Sequence, residues 1–330
     1  MEMKRIVGAL LALCAALALT GCATDDGSQS AAVGKLDDDF IVVGFSQVGA
    51  ESDWRAANTL SMQEALSEAN GYRLIFDDAQ QKQERQIIAI RNFIQQEVDY
   101  IVLAPTTETG WDTILAEAKA VGIPVIIVDR MIEVSDESLF TCWVGSDFHK
   151  EGGTAVQWME RYFDDQPIRI VHLQGNLGSS AQIGRTEGLD AGLRAHPGWT
   201  LAARASGEFT QAKGQELMEE WIDAKVGFDV VYAENDNMAY GAIDALKAAG
   251  ISPGSDVVIV SFDANRKALH MTLAGEISYN VECNPLHGPR VQAIIEQLEA
   301  GVTPQKLTFV EETAFDSADI TQGMIDAREY

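Results

Sequence analysis

Three observations predict an α/β fold of two doubly wound parallel-sheet lobes. From residue 40 onward, short uninterrupted β-branched runs alternate with amphipathic segments, the pattern of parallel strands covered by helices on both faces. The rhythm then repeats in the second half of the chain. A length of 330 residues exceeds one typical domain and accommodates two.

Ahead of that body, Lys4 and Arg5 precede an uncharged apolar run at 6–19, which ends in Leu19-Thr20-Gly21-Cys22. A permanent bilayer span needs about 20 apolar residues. This run is shorter and leads straight into a small-residue cleavage site, so 1–21 reads as a signal peptide. Leu-Thr-Gly-Cys has the form of a lipobox, which makes Cys22 the expected lipidation site and mature N-terminus. Two or more acyl chains on one cysteine give lasting attachment where one gives only marginal binding. The mature chain is therefore expected to be exported and lipid-anchored to the cell membrane, facing the periplasm or the cell exterior. Residues 22–38 are small and polar and read as a flexible tether.

In the first half, strands are placed at 40–45, 72–76, 100–103 and 125–128. Helices are placed near 54–69, 83–96 and 112–121 between them. In the second half, strands fall at 168–173, 230–233 and 257–261, with helices near 181–195, 213–224 and 238–249. Strands alternating with helices imply right-handed crossovers and parallel pairing.

Composition narrows the function. The formal charge is -26, and losing Lys4, Arg5 and Glu2 with the signal makes the remainder more acidic by one. Such a surface gives no electrostatic footprint for nucleic acid. A hydrophobic content of 46% is that of an ordinary globular core. With Cys14 and Cys22 set aside, Cys142 and Cys283 remain. Export permits a disulfide between them, but two buried free thiols are the expected state because no disulfide framework is present. There is no CxxC or HExxH and the five histidines are scattered, so neither a metal site nor a cofactor is expected.

Ligands of doubly wound sheets sit beyond the carboxyl ends of the strands. Ser46, Gln47, Glu51, Ser52, Trp54 and Arg55 follow the first strand, and Asp129 with Arg130 follows the fourth. The second half offers Gln174 with Arg185, then Glu234, Asn235 and Asp236, then Asp263. A solvated loop rim explains any single one of these positions. It explains the set less well, because Asp-Arg, Asn-Asp and Phe-Asp each follow directly on a buried strand.

Several of these residues fall within longer recognisable segments. They are Val43-Gly44-Phe45-Ser46-Gln47-Val48-Gly49, Trp54-Arg55-Ala56-Ala57, Gln80-Gln81-Lys82-Gln83 and Thr109-Gly110-Trp111. Val128-Asp129-Arg130, Leu173-Gln174-Gly175 and Tyr232-Ala233-Glu234-Asn235-Asp236-Asn237-Met238 complete the set. On these segments the chain resembles the periplasmic sugar-binding proteins of the ribose-binding type, solute receptors of ABC importers, and among them the galactofuranose-binding branch. The likeness runs from about residue 40 to the C-terminus. It implies a type I periplasmic binding protein fold whose lobes are joined by three hinge crossings. The N-terminal lobe would take 40–142 plus 263–284, and the C-terminal lobe 143–262 plus 285–330.

The resemblance also implies a substrate-binding set of Glu51, Ser52, Trp54, Arg55, Asp129, Arg130, Arg185, Asn235 and Asp263. Carboxylate–guanidinium pairs such as Asp129–Arg130 suit vicinal hydroxyls through charge-assisted bonds, and Trp54 offers a flat face to sugar C–H groups. Ribose receptors carry an aromatic residue in the place of Arg55, so a guanidinium there points to a furanose such as galactofuranose or fructofuranose. Where they carry a polar contact near the last hinge, this chain has Cys283, which is left out of the set, and Glu282 and Asn284 beside it are given no role. Trp111 and Gln80 to Gln83 are expected to serve structure, and Asp165 to lie on the surface.

The implied partners are a monosaccharide, the membrane through its lipid anchor, and the permease subunits of an ABC importer, with the receptor itself a monomer. Repressors of the lactose type share the fold but need an N-terminal helix-turn-helix, which a lipobox and tether replace here. An exported glycosidase using Asp129 and Asp263 as paired carboxylates is the alternative function. Arg130 beside Asp129 opposes it, because a neighbouring cation keeps that acid ionised. No catalytic residue is therefore expected.

Overall fold

The structure, a computed structural model, describes residues 40–164 and 166–330. The signal peptide, tether, Cys22 and Asp165 lie outside the described residues.

The first sheet gathers β1 (Ile41–Gln47), β2 (Tyr72–Asp78), β3 (Tyr100–Leu103), β4 (Val125–Val128) and β5 (Cys142–Gly145). Between the first four run α1 (Asp53–Ala65), α2 (Gln83–Gln95) and α3 (Asp112–Ala120). Its strands are nearly continuous apolar runs because both faces are covered. Successive residues point to opposite faces. Ile101, Leu103, Val125 and Ile127 meet Ile90 and Phe93 of α2 and Ile114 and Leu115 of α3. Val43, Phe45, Val102, Ile126 and Val128 meet Met62 of α1 on the other side.

The second sheet repeats the plan with β6 (Ile168–Gln174), β7 (Trp199–Ser206), β8 (Val230–Ala233), β9 (Val258–Asp263) and β10 (Tyr279–Glu282). Its helices are α4 (Phe148–Phe163), α5 (Ser180–Ala195), α6 (Gln211–Asp223), α7 (Asp236–Ala248) and α8 (Arg266–Leu273). The chain ends through α9 (Gly288–Glu299), β11 (Leu307–Phe309), β12 (Ala314–Asp316) and α10 (Gln322–Asp326). The strand orders are β11-β5-β4-β3-β1-β2 and β12-β10-β9-β8-β6-β7, so the lobes are topological copies. All pairings are parallel except β10 with β12.

These pairings correct the expected lobe boundaries. Tyr279 to Glu282 pairs in register with Val260 to Asp263, so α8 and β10 belong with β9 to the second lobe rather than to the first. Conversely, β11 pairs with β5, and Val291, Ile294 and Ile295 of α9 fill the same core as Phe45 and Met62. The first lobe is therefore 40–145 with 285–309, and the second 146–282 with 314–330. The chain crosses three times, after Gly145, after Glu282 and after Phe309. The expectation of three crossings holds, but the lengths between them differ. A first lobe ending at residue 142 cuts off β5 and omits α9, whose apolar face is indistinguishable by pattern from that of a second-lobe helix.

Several elements carry weak signals. The α4 segment contains Gly152 and Gly153, which depress helix propensity. Its helix depends on Asp147, whose side chain caps Lys150 N, and on Ala155, Val156 and Met159 entering the second core. The edge strand β7 is mostly exposed or half-buried and lacks an apolar run.

Candidate ligand-binding site

The carboxyl ends of both sheets meet across a cleft. The lobes touch there directly: Asp53 N–H donates to Asn237 Oδ1 (3.0 Å), Glu108 N–H to Gly178 O (3.0 Å) and Met131 N–H to Ser180 Oγ (2.9 Å). Gln81 Oε1 accepts from Asn176 Nδ2 at 2.6 Å. These bonds describe a closed pair of lobes.

Inside lies a pocket of about 290 Å³ of empty space. Glu51, Ser52, Trp54, Arg55, Asp129, Arg130, Arg185, Asn235 and Asp263 all line it. Four further residues line it too: Phe148, Ala181, Phe209 and Cys283. Phe148 and Phe209 follow β5 and β7 at the same sheet edges. The signal was their place after a strand, hidden because neither strand is evident in the sequence.

Local structure aims these groups. Ser52 caps α1, its hydroxyl accepting from Arg55 N (3.1 Å), and so starts the helix that carries Trp54 and Arg55 into the cleft. Asp129 and Asp263 occupy matching places at the ends of β4 and β9 and have φ of 63° and 101°. Such backbone is strained for a side-chain residue, least so for Asp or Asn. It turns each carboxyl off its strand, and Trp143 Nε1–H to Asp129 O (3.2 Å) and Cys283 N–H to Asp263 O (3.3 Å) hold the turns. Gly145 is required beside the first, since a Cβ there would stand 2.2 Å from Asp129 O.

The electrostatics form two clusters. In the first lobe, Arg55 Nη1 lies 2.8 Å from Asp129 Oδ2 and its Nε 3.0 Å from Glu51 Oε1. The Asp129 contact is an ion pair without hydrogen-bond alignment, which leaves Oδ2, like Glu51 Oε2, without a hydrogen-bond partner. Burial works against the Arg55 charge, but Asp129 and Glu51 outweigh it and raise its pKa above the usual value. Arg130 donates to Thr106 O (3.2 Å) and stands 3.9 Å from both Glu51 and Asp129. Burial, with the Arg55 charge beside it, brings Arg130 down to about 10. In the second lobe, Arg185 Nε donates to Glu151 Oε2 (2.7 Å), Nη1 donates to Glu234 O (2.5 Å), and Nη2 lies 3.7 Å from Asp263 Oδ1. Burial pushes the Asp263 carboxyl well above the ordinary range despite Arg185.

Other candidates resolve into structure. Asn235 faces the pocket, but its Oδ1 caps α7 at Met238 N (2.9 Å) and its Nδ2 donates to Phe209 O (3.0 Å), leaving one N–H uncommitted. Glu234 accepts from Gly175 N (2.7 Å) and Thr186 Oγ1 (2.6 Å) and pairs with His172, away from the cavity. Asp236 holds Ser261, Asn265 and Asn280, and burial lifts it to about 7. Trp111 is fully buried with its Nε1–H on Thr107 O (2.7 Å), a packing residue as expected. One face of Trp54 is covered by the Arg55 guanidinium at 4.6 Å, and its Nε1–H donates to Cys283 O (2.7 Å). Phe148 and Phe209 thus add aromatic surface that Trp54 alone does not supply. Cys142 and Cys283 are free and buried.

Two sheets of like topology, three crossings and one polar cavity between strand ends define a two-lobed solute-binding protein. The sequence matches the periplasmic binding protein domain over residues 43–288, and the chain belongs to that family. It is 39% identical to the galactofuranose-binding protein YtfQ of Escherichia coli over 83% of this chain and 87% of that protein. A Mycobacterium smegmatis structure in complex with β-D-fucofuranose is 41% identical and superposes with a TM-score of 0.81, covering 84% of this chain and 92% of that one. The binding component of the arabinose ABC transporter from Shewanella sp. ANA-3, bound to α- and β-L-arabinofuranose, is 39% identical with a TM-score of 0.82 over 87% and 95%.

Proposed function

We propose that this chain is the extracytoplasmic receptor of an ABC sugar importer and that its cavity takes a furanose. The supporting observation is that each lobe delivers a buried guanidinium with an aspartate side chain beside it, Arg55 with Asp129 and Arg185 with Asp263, to one small cavity. Such pairs suit ring hydroxyls that both donate and accept, while Phe148 and Phe209 face C–H groups. Relatives near 40% identity carry furanoses in their descriptions. Binding favours the closed lobes, and a permease reads that form. The receptor performs no chemistry: incubation with furanosides is expected to release no sugar.

A thermal-shift panel of D-galactose, L-arabinose, D-fructose and D-ribose tests the reading. A ligand at 100 times its Kd adds about 2.7 kcal/mol, or roughly 5–10 °C for a protein of this size. No shift with any of the four, nor with their furanosides, would sink it.

We also propose that Cys22 is acylated and tethers a monomer to the membrane, supported by the lipobox and the polar segment after it. Cys22→Ser is expected to move the protein out of the membrane fraction. Retention of that variant after a high-salt wash rejects the anchor.

A further inference from the structure

Behind the pocket, the hinge holds a group of acids that the sugar contacts do not use. Glu312 on the third crossing accepts from Ser146 Oγ of the first (2.6 Å) and from Asn284 N just past the second (2.7 Å), so one carboxyl oxygen ties all three together. The Ser146 hydroxyl is also 3.3 Å from Cys283 Sγ. Glu151 of α4 reaches the same place: an oxygen of Glu151, an oxygen of Glu312 and Cys283 Sγ lie within 4.8 Å of one another. Glu151 is 3% exposed, its Oε2 holds Arg185, and its Oε1 has no hydrogen-bond partner. Both acids also line a hollow of about 720 Å³ of empty space.

Glu151 is buried and Glu312 half-buried, and two carboxyls this close resist ionising together because each charge opposes the other. A metal ion could neutralise them, but the Arg185 guanidinium already occupies the Glu151 side, and burial keeps the Cys283 thiol protonated. A proton meets neither objection.

We propose that Glu151 and Glu312 share one proton across the hinge, and that closing the lobes about a sugar takes this proton up. The proposal rests on the sugar-receptor reading. Opening turns the three crossings against one another, parts Glu312 from Ser146 and Glu151, and exposes both acids more fully to water. Glu151 then acts as a positioning residue, joining the pocket's Arg185 to the hinge.

Burial raises Glu312 to about 8, the Glu151 charge adding to it and the Ser146 and Asn284 bonds opposing. Burial raises Glu151 to about 7 against the pull of Arg185. Asp147, the cap of α4, and Lys150 within it line the same cavity, as does Glu282, which Arg328 pairs at 2.7 Å. Arg290 of α9 also senses Glu312, and Asp129 adds its charge from the pocket side of Glu151.

The sign follows. The carboxyl pKa is higher in the closed form, so protonation favours closure. That advantage is complete below the ordinary Glu value of about 4.3 and is lost as pH rises through about 8. Between those limits affinity falls by up to about tenfold per pH unit.

Titration calorimetry with whichever sugar of the panel binds, at pH 6.5 in buffers of different ionisation enthalpy, counts the protons. Wild type is expected to take up between about half and one proton per sugar. Glu312→Gln should bind sugar with less than half that uptake and a flatter pH profile. Ser146→Ala, which removes a donor to the Glu312 carboxylate, should shift the loss of affinity to higher pH, and it decides the matter if Glu312→Gln does not fold. Sugar binding without proton uptake, uptake unchanged in Glu312→Gln, or an unmoved profile in Ser146→Ala overturns the shared proton and leaves the receptor reading intact. Absence of binding by every sugar removes the receptor reading first.

Discussion

Asp129→Ala is expected to weaken sugar binding by about two to three orders of magnitude. The carboxylate is 3% exposed, lies 2.8 Å from the Arg55 guanidinium and 3.9 Å from Arg130, and keeps one oxygen free of any hydrogen bond. Removing one partner of a buried pair leaves the other charge uncompensated, which costs about 3–5 kcal/mol, and each 1.4 kcal/mol is tenfold. Arg55 keeps Glu51 at 3.0 Å, which places the loss at the lower end of that range. Asp223→Ala, at the exposed end of α6, should leave affinity within a factor of two. Calorimetry on both variants decides, and equal affinities remove Asp129 from the site.

Gly188→Val should be the most damaging substitution away from the pocket. In α4 and α5 the helices touch backbone to backbone: a Cβ on Gly188 would stand 2.5 Å from Gly152 C, and one on Gly184 2.7 Å from Phe148 C. That approach seats Glu151 against Arg185. A branched side chain has no soft neighbour to displace, so the helices must part. Overpacking of this kind costs about 1–3 kcal/mol, roughly 3–10 °C in melting temperature. Sugar affinity should fall as well, because Arg185 loses its support. Gly153→Ala on the facing helix α4 meets nothing within 4 Å and should stabilise by about 0.5–1 kcal/mol. Scanning calorimetry separates the two, and a Gly188→Val protein that melts with wild type refutes the close-packing argument.

Much of the site was legible because the strand ends are legible. Buried parallel strands such as Val125–Val128 are short, wholly apolar and followed at once by a polar pair, so the order of residues alone marks Asp129 and Arg130 as pocket candidates. Asp263 was readable from the same pattern in the second lobe, whereas Arg185 lies inside α5 and its role rested on the family resemblance. Phe148 and Phe209 were not, because Cys142–Gly145 is brief and Trp199–Ser206 is a half-exposed edge. The lobe boundaries failed for a different reason. An amphipathic helix announces one apolar face without saying which core receives it, and only pairing shows that Gly288–Glu299 returns to the first lobe. Neither the positive φ of Asp263 nor the shared carboxyl of Glu312 has any sequence signature, since both arise from distant segments brought together.

The late return of the chain to its first lobe bears on the order of synthesis. The β5 strand ends at Gly145, but Val291, Ile294 and Ile295 of α9, which seal that lobe's core, lie far downstream, and the β11 edge ends only at Phe309. At about 5–20 residues per second, roughly 10–30 s separate the two on a translating ribosome. Throughout that interval the face carrying Phe45, Met62 and Val128 lacks the α9 side chains that complete its cover. The nascent first lobe is thus held short of completion until the second has emerged, and a chain truncated anywhere before α9 would lack both lobes' final closure.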